Sequence, residues 1–357
     1  MTSPRKVAVA MSGGVDSSVA AALLKEQGFD VVGLMLRLWS EPGHEDSNRC
    51  CTPQSMGLAR RVAAQLEIPF YVVDARDSFR KQVVQSFLDG YARGGTPNPC
   101  LECNRTIRWT LLLKHALALG ADLMATGHYA RVEHQAGGTT RLLRARDLAK
   151  DQSYVLHVLN QDQLRRALFP VGEYLKTEVR ALAARFSLPT ATRHDSQDLC
   201  FLAGGNYRDF IVRHRPDMLL PGEIVNPRGE WLGTHTGLAN YTIGQRKGIQ
   251  VRSSVAMYVV RKDVGANRLV VGEAADLGSG LLCAEPVQWI EGSPRKRPFQ
   301  AQVKTRYTAP AQPAEVRPSP DGCSATIEFD KPQRDITPGQ AAVFYQHDLV
   351  LGGGIIR

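Results

Sequence analysis

The sequence predicts an α/β chain: a Rossmann-like parallel-sheet domain over residues 1–204, a small central domain over 205–277 and an antiparallel β-barrel-like domain over 278–357. Three observations predict it. Up to Thr126, short apolar runs alternate with helix-period segments, the pattern of a parallel sheet covered by helices on both faces. A glycine-rich loop directly follows the first run. Beyond about Gly204, Gly and Pro punctuate the chain every few residues, between β-rich runs such as MYVVRKD, NRLVVG, FQAQVKTRY and SATIEFD, as in small barrels. At 357 residues the chain is long enough for two or three separate cores.

Taken in order, VAVAM is the first strand, and Val15, Val19, Ala22 and Leu23 then share a helical face. VVGLMLRLW, a face of Ala59, Val62, Ala63 and Leu66, and FYVV follow. Phe79, Val83, Phe87 and Tyr91 form another face, Ile107, Leu111, His115 and Leu119 a further one, and DLMAT closes the series. The strands are expected to be buried and non-alternating. The segment from Gly205 to Leu277 carries polar loops and no clear period, and the chain contains no internal repeat.

Composition narrows the function classes. No apolar stretch approaches the ~18 residues a membrane helix needs, so a cytoplasmic protein without a membrane partner is expected. Lys and Arg exceed Asp and Glu by 44 to 35, a formal charge of +9, which suits a polyanionic partner but equally a solvated basic surface. Seven cysteines, an odd number without a secretory signal, argue for reduced thiols rather than a disulfide framework.

The first loop reads Ser12-Gly13-Gly14-Val15-Asp16-Ser17-Ser18 and opens a helix. Two glycines let backbone N–H groups approach a phosphate, hydroxyls add donors, and the helix N-terminus adds partial positive charge. It lacks the Gly-Lys-Ser/Thr ending of a Walker A loop. Asp16 is expected near the β,γ-phosphates through Mg²⁺; the plainer alternative is a glycine turn with Ser or Asp as helix cap. The sequence matches the pyrophosphatase-type loop of the adenine-nucleotide α-hydrolase-like superfamily, and that resemblance implies adenylation with pyrophosphate release, in amide synthetases and sulfur transferases alike.

Thr96-Pro97-Asn98-Pro99-Cys100-Leu101-Glu102-Cys103 places a C-x-x-C pair in a proline-stiffened loop ahead of a helix, and Cys200 follows Asp195-Ser196-Gln197-Asp198-Leu199. A thiolate is the nucleophile of sulfur chemistry, and a helix N-terminus favours it. One C-x-x-C is weak for zinc, and buried cysteines are commonly inert. Cys50, Cys51, Cys283 and Cys323 have no comparable setting.

Over almost its whole length the sequence resembles the tRNA-specific 2-thiouridylases, through MSGGVDSSVAA, GGTPNPCLECN, ATGHYAR, KDQSYVL, LFPVGE, DSQDLCF, YTIGQRKG, VKTRY, TPGQAAVFY and LGGGII in the same order. The resemblance implies that Ala10, Met11, Ser12, Gly13, Gly14, Val15, Asp16 and Ser17, with Leu36 and Gly127, bind ATP. It implies that Asn98, Pro99 and Cys100 meet the target base, and that His128, Lys150, Asp151, Gln152, Arg306, Tyr307 and Gln340 contact tRNA. Cys200 would carry sulfur as a persulfide, supplied by a cysteine desulfurase or a sulfur-relay protein, and Cys103 would be the second catalytic thiol. Many members have Asp where this chain has Cys100. Cys100, Cys103 and Cys200 therefore also resemble the ligand set of a 4Fe-4S cluster with one open iron, an alternative to the persulfide route. An amide-forming adenylating enzyme and a noncatalytic tRNA-binding protein are the rival readings.

Overall fold

The computed structural model describes residues 4–43, 52–194, 199–202, 205–334 and 336–357. Its first sheet contains β1 (Lys6–Ala10), β2 (Asp30–Arg37), β3 (Phe70–Asp74), β4 (Leu123–Thr126) and, after a hairpin of β5 (Ala130–His134) and β6 (Thr140–Arg144), β7 (Ala167–Leu168). The order is β3-β2-β1-β4-β7 with every pairing parallel, so the strand order reverses between β1 and β4, where such sheets bind ligands beyond their carboxyl ends.

Helix α1 (Val15–Glu26) leaves that switch point and is buried on nearly every side, not on one face alone. It lies between the sheet and the helix Lys176–Arg185, whose Val179 and Ala183 share its apolar cluster. β2 and β4 are buried as expected, but Tyr71 and Val72 of β3 are exposed, because β3 is an edge strand.

Phe79, Val83, Phe87 and Tyr91 share the expected buried face of a rod made from Arg76–Phe79, Arg80–Val84 and Gln85–Ala92. The next rod departs from its expected face. Ile107 is buried, but His115 is exposed and Leu111 and Leu119 are half-buried, while Trp109, Leu112, Leu113 and Ala116 form the core side. Residues Cys103–Leu112 of this rod are π-helical, and wider turns carry side chains off a 3.6-residue phase.

The unclear middle segment supplies the helix Tyr207–His214 and a four-stranded sheet. Its strands are β8 (Gly222–Val225), β9 (Trp231–His235), β10 (Tyr258–Asp263) and β11 (Arg268–Gly272), in the order β10-β11-β8-β9. β8 and β11 pair in parallel, the others antiparallel.

The last six strands are β12 (Ser279–Trp289), β13 (Phe299–Lys304), β14 (Gln312–Pro318), β15 (Ala325–Gln333), β16 (Ala341–Gln346) and β17 (Leu349–Ile356). They run β12-β15-β14-β13-β16-β17 and close through β12 on β17. Closure leaves no free edge within the ring. The β5–β6 hairpin joins this sheet from the other domain, with Leu143 beside Leu349 and Leu142 beside Val350.

This seam is tightly packed. A Cβ on Gly353 would stand 2.7 Å from the Ala342 carbonyl oxygen and 2.8 Å from His157 Cδ2. The buried His157 ring meets the Tyr154 carbonyl through Nδ1 at 2.6 Å, and since a carbonyl only accepts, Nδ1 carries the proton. Burial pushes this imidazole down to about 4. The unfolded chain takes a proton below about 6.5 that the folded chain refuses, so stability falls as pH drops through that window. We expect about 2 kcal/mol to be lost from His157 between pH 7 and pH 5, and His157→Asn, which keeps a donor near Nδ1, to remove that share. Urea unfolding at the two pH values measures it; an unchanged slope in the variant would contradict the assignment.

Candidate nucleotide and thiol site

The phosphate loop is shaped by its neighbours as much as by its own glycines. Gly13 has φ +70°, and a Cβ there would fall 2.3 Å from the Ser55 carbonyl oxygen. Arg193 holds the loop from outside, donating to the Gly13 carbonyl at 2.6 Å and to the Ser55 hydroxyl at 2.7 Å. Ser17 and Ser18 hydroxyls donate to the Gly14 carbonyl at 3.1 and 2.8 Å. Gly14 is the N-cap of α1 and brings no side chain to cap it. The first-turn N–H groups of that helix therefore face outward as an anion cradle.

Ala10, Met11 and Gly127, expected around the nucleotide, adjoin this loop. Ala10 ends β1 and Met11 follows it, with the Met11 amide bonded to the Leu34 carbonyl at 2.7 Å and its side chain buried against Gly33; Met11 can offer backbone only. Gly127 follows β4, and a Cβ there would stand 2.6 Å from the Ser17 nitrogen and 2.8 Å from the Asp16 carbonyl carbon. Only glycine lets β4 approach the start of α1 so closely. Leu36, near the end of β2, packs between the sheet core and the apolar cluster that contains Cys103.

Asp16 is held by two groups that sequence reasoning missed. The Tyr129 hydroxyl donates to its Oδ1 at 2.9 Å, and Lys176 Nζ lies 2.7 and 2.9 Å from its two oxygens. Lys176 comes from a helix 160 residues away, and no local pattern marks it. From Tyr129 the network continues to the KDQ segment: the Gln152 amide donates to the Tyr129 carbonyl at 2.8 Å, and the Tyr129 amide to Gln152 Oε1 at 3.0 Å.

Two residues expected to contact tRNA lie inside the protein. His128 is 7% exposed, with Arg108 Nη1 2.9 Å from Nε2 and Thr126 Oγ1 2.7 Å from Nδ1. Arginine only donates, so Nε2 accepts and Nδ1 bears the proton. Burial, with the Arg108 charge adding to it, pushes this imidazole well below its ordinary value, and it stays neutral. Asp151 is buried too, accepting from the Ala145 amide at 3.0 Å and the Ser153 hydroxyl at 2.8 Å. Lys150 is half-buried beside them.

The thiols occupy different settings. Asn98 caps the helix Pro99–Glu102 by accepting from the Cys100 amide at 3.1 Å. Cys100 is exposed, whereas Cys103 is 8% exposed in a cluster with Leu38, Phe87, Ile107 and Phe201, against which the half-buried Cys200 also packs. Residues 195–198 of the Cys200 motif, and Cys50 and Cys51, lie outside the described residues. Among the described residues no group of three or more His, Cys, Asp or Glu side chains is placed to hold a metal ion. Cys100, Cys103 and Cys200 are therefore not gathered as the ligand set of the alternative 4Fe-4S reading.

The barrel completes the surface around Cys100. Tyr307 is 38% exposed, and its phenol is pushed up by burial and then by Asp151 and Cys100 nearby. Lys304 Nζ lies 5.6 Å from the Tyr307 ring centre. Arg306 reaches the Ile243 carbonyl at 3.1 Å and the Thr337 hydroxyl, and Gln340 Nε2 donates to the Thr96 carbonyl at 2.6 Å. Tyr307 and Gln340 thus gather at the proline loop, whereas Arg306 is turned toward the central domain.

Comparison with known proteins agrees with this arrangement. Residues 5–204 match the model of a tRNA methyl transferase HUP domain, 208–273 a PRC-barrel domain and 279–356 an aminomethyltransferase beta-barrel domain. The chain is 48% identical to a tRNA-specific 2-thiouridylase of Magnetococcus marinus over 100% of both chains. It is 48% identical to one of Roseiflexus castenholzii, over 98% of this chain and 99% of the relative, and 46% identical to one of Moorella thermoacetica, over 98% of each. The HUP-domain family is named for methyl transfer and the relatives for thiolation; the full-length identities favour the latter. Likeness to the U34-tRNA thiolase NcsA of Methanococcus maripaludis is slight, with a TM-score of 0.37 and 19% identity over 60% of this chain and 69% of that one.

Gly127→Ala should push the start of α1 off β4. We expect ATP affinity to fall by about tenfold or more, roughly 1.4 kcal/mol, with thermal unfolding of the barrel unchanged. Isothermal titration with ATP checks this, and full affinity would contradict the close-approach role.

Proposed function

Because the chain belongs to the tRNA-specific 2-thiouridylase family, we propose that it replaces the C2 oxygen of the wobble uridine in a tRNA anticodon with sulfur. The observation that carries this reading is the apolar cluster that joins Leu36, at the nucleotide end of β2, to Cys103 and Cys200. It connects an adenylation site to two thiols.

The C2 oxygen of uridine is a poor leaving group. Its attack on the α-phosphorus of ATP forms an O–P bond, breaks the bond to the β-phosphate and releases pyrophosphate. The uncapped start of α1 and the loop N–H groups stabilise the charge of that leaving group. Mg²⁺ would arrive with the triphosphate, neutralising its oxygens; Asp16 fits as the single carboxylate such an ion takes beside phosphates and water. A persulfide on Cys200, loaded by a cysteine desulfurase or relay protein, attacks C2 through its terminal sulfur, and AMP leaves with the former C2 oxygen. Cys103 then attacks Cys200 Sγ. A Cys103–Cys200 disulfide forms, the bond to the transferred sulfur breaks, and its electrons complete the C2 thiocarbonyl. An external dithiol reduces the disulfide.

Asn98, Pro99 and Cys100 would meet the base, with Gln340 held at the same loop through Thr96 and Tyr307 near Cys100. An anticodon loop suits the site, since its bases are already unpaired and can be splayed into a pocket. Among the described residues no helix is long and apolar enough to cross a membrane, and the cytoplasm, where tRNA resides, is the proposed location.

Thiolation of unmodified tRNA in vitro tests the route. Cys103→Ser and Cys200→Ser should each lower the rate by about 10³-fold or more, roughly 4 kcal/mol of barrier, while Cys100→Ser retains most of it. Full activity in the Cys200 variant would refute the persulfide route, and complete loss in the Cys100 variant would make three thiols essential.

A further inference from the structure

Lys304 ends β13, paired with Val343 of β16, and its ammonium is flanked by two aromatic rings. The ring centres of Tyr307 and Tyr154 lie 5.6 and 6.0 Å from Nζ. Tyr154 is a fixed platform, because its hydroxyl donates to the Ala341 carbonyl at 3.0 Å and accepts from the Ala341 amide at 3.1 Å. A second cation stands close by: Arg144, the last residue of β6, lies 4.0 Å over the Tyr345 ring, and its charge acts on Lys304.

The carboxylate nearest these cations is already engaged. Asp151 accepts from the Ala145 and Ser153 amides at 3.0 and 3.2 Å and from the Ser153 hydroxyl at 2.8 Å. Among the described residues the side chains of Lys304 and Arg144 donate to no hydrogen-bond acceptor and form no ion pair, and Arg144 Nε is buried in that state. Burial lowers the Lys304 ammonium below its ordinary value; Asp151 opposes this and Arg144 adds to it. Ring faces replace only part of the hydration that an ammonium gives up. An anionic oxygen would replace the rest, and Lys304 is half-buried rather than enclosed, so such an oxygen can reach it. Tyr307, which flanks the ammonium, also lies near Cys100, which places this charge at the base-facing end of the site. An anion that travels with a base is the phosphodiester of its own strand.

We propose that Lys304, its field strengthened by Arg144, is a phosphodiester-binding residue: its ammonium donates to a non-bridging oxygen of a phosphate that flanks the target uridine, and so fixes how far the base reaches toward Cys100. This rests on the reading that the chain thiolates a tRNA uridine. A point charge reads no base, so Lys304 positions the strand without selecting its sequence.

Anticodon stem-loops in which the phosphate on the 5′ or the 3′ side of the target uridine is a neutral methylphosphonate test it, with binding to the full-length protein read by fluorescence anisotropy. One of the two replacements should weaken binding to the wild type by about tenfold, the scale of a charge-assisted hydrogen bond. Lys304→Met should weaken the unmodified stem-loop by a similar factor, lose little more from that replacement and keep its ATP affinity, while Lys304→Arg retains most of the binding. If Lys304→Met fails to fold, Lys304→Gln gives the same reading. The assignment is overturned by a folded neutral variant that binds the unmodified stem-loop as the wild type does, or that loses as much as the wild type from each replacement. A wild type indifferent to both replacements, or a neutral variant that loses ATP affinity instead, overturns it as well. A wild type that binds neither the stem-loop nor full-length tRNA overturns the tRNA reading on which it rests.

Discussion

The architecture depends on how the loop Gly94–Asn98 is clamped. The Thr96 amide donates to the Pro338 carbonyl at 2.8 Å and the Thr96 carbonyl accepts from Gln340 at 2.6 Å, so the barrel grips the loop through two hydrogen bonds on one residue. From the central domain, Lys262 Nζ reaches the Gly95 carbonyl at 3.4 Å, and Val264 leaves no room for a side chain at Gly94, whose φ is +78°. From within the catalytic domain, the Gly90 carbonyl accepts from the Gly95 amide at 3.0 Å, and a Cβ on Gly90 would meet Pro97 at 2.7 Å. Each hydrogen bond contributes only about 1 kcal/mol. Together they fix a backbone that leads directly into the helix carrying Cys100 and Cys103.

That arrangement explains why a reaction of one sheet domain is joined to two further β domains. The phosphate-loop end is built by β1, α1 and β4, whereas the proline loop is gripped by Gln340 from the barrel, with Tyr307 near Cys100. The β5–β6 hairpin makes the joint stiff, because its edge continues the barrel sheet while its first strand lies just after His128 and Tyr129. A displacement of the barrel would therefore be felt both at the proline loop and, through Tyr129, at Asp16.

Local features were readable in the sequence. The strand, glycine loop and helix from Lys6 to Glu26 follow from residues next to one another, and so does the buried stripe Phe79, Val83, Phe87 and Tyr91. What escaped depends on distance or on altered helical phase. Lys176 and Arg193 reach the phosphate loop from 160 and 180 residues away, and their neighbours in sequence give no sign of it. The hairpin's union with β17 pairs Leu143 with Leu349, which composition cannot foresee. The spacing of Ile107, Leu111, His115 and Leu119 predicts one face, but His115 is exposed beyond the π-helical turns Cys103–Leu112. The basic balance of the chain is matched to tRNA only through the motifs, since charge carries no address.

The most direct test of the clamp is a substitution outside both the nucleotide loop and the thiols. Gly339 has φ +91°, and a Cβ there would lie 3.1 Å from the Pro97 nitrogen, so Gly339→Val should lift the barrel loop from the proline loop. Hydrogen exchange of the Gly95 and Thr96 amides, followed alongside single-turnover sulfur transfer to tRNA, reads the consequence. The account predicts faster exchange, slower transfer and unchanged ATP affinity; faster exchange with undiminished transfer would contradict it.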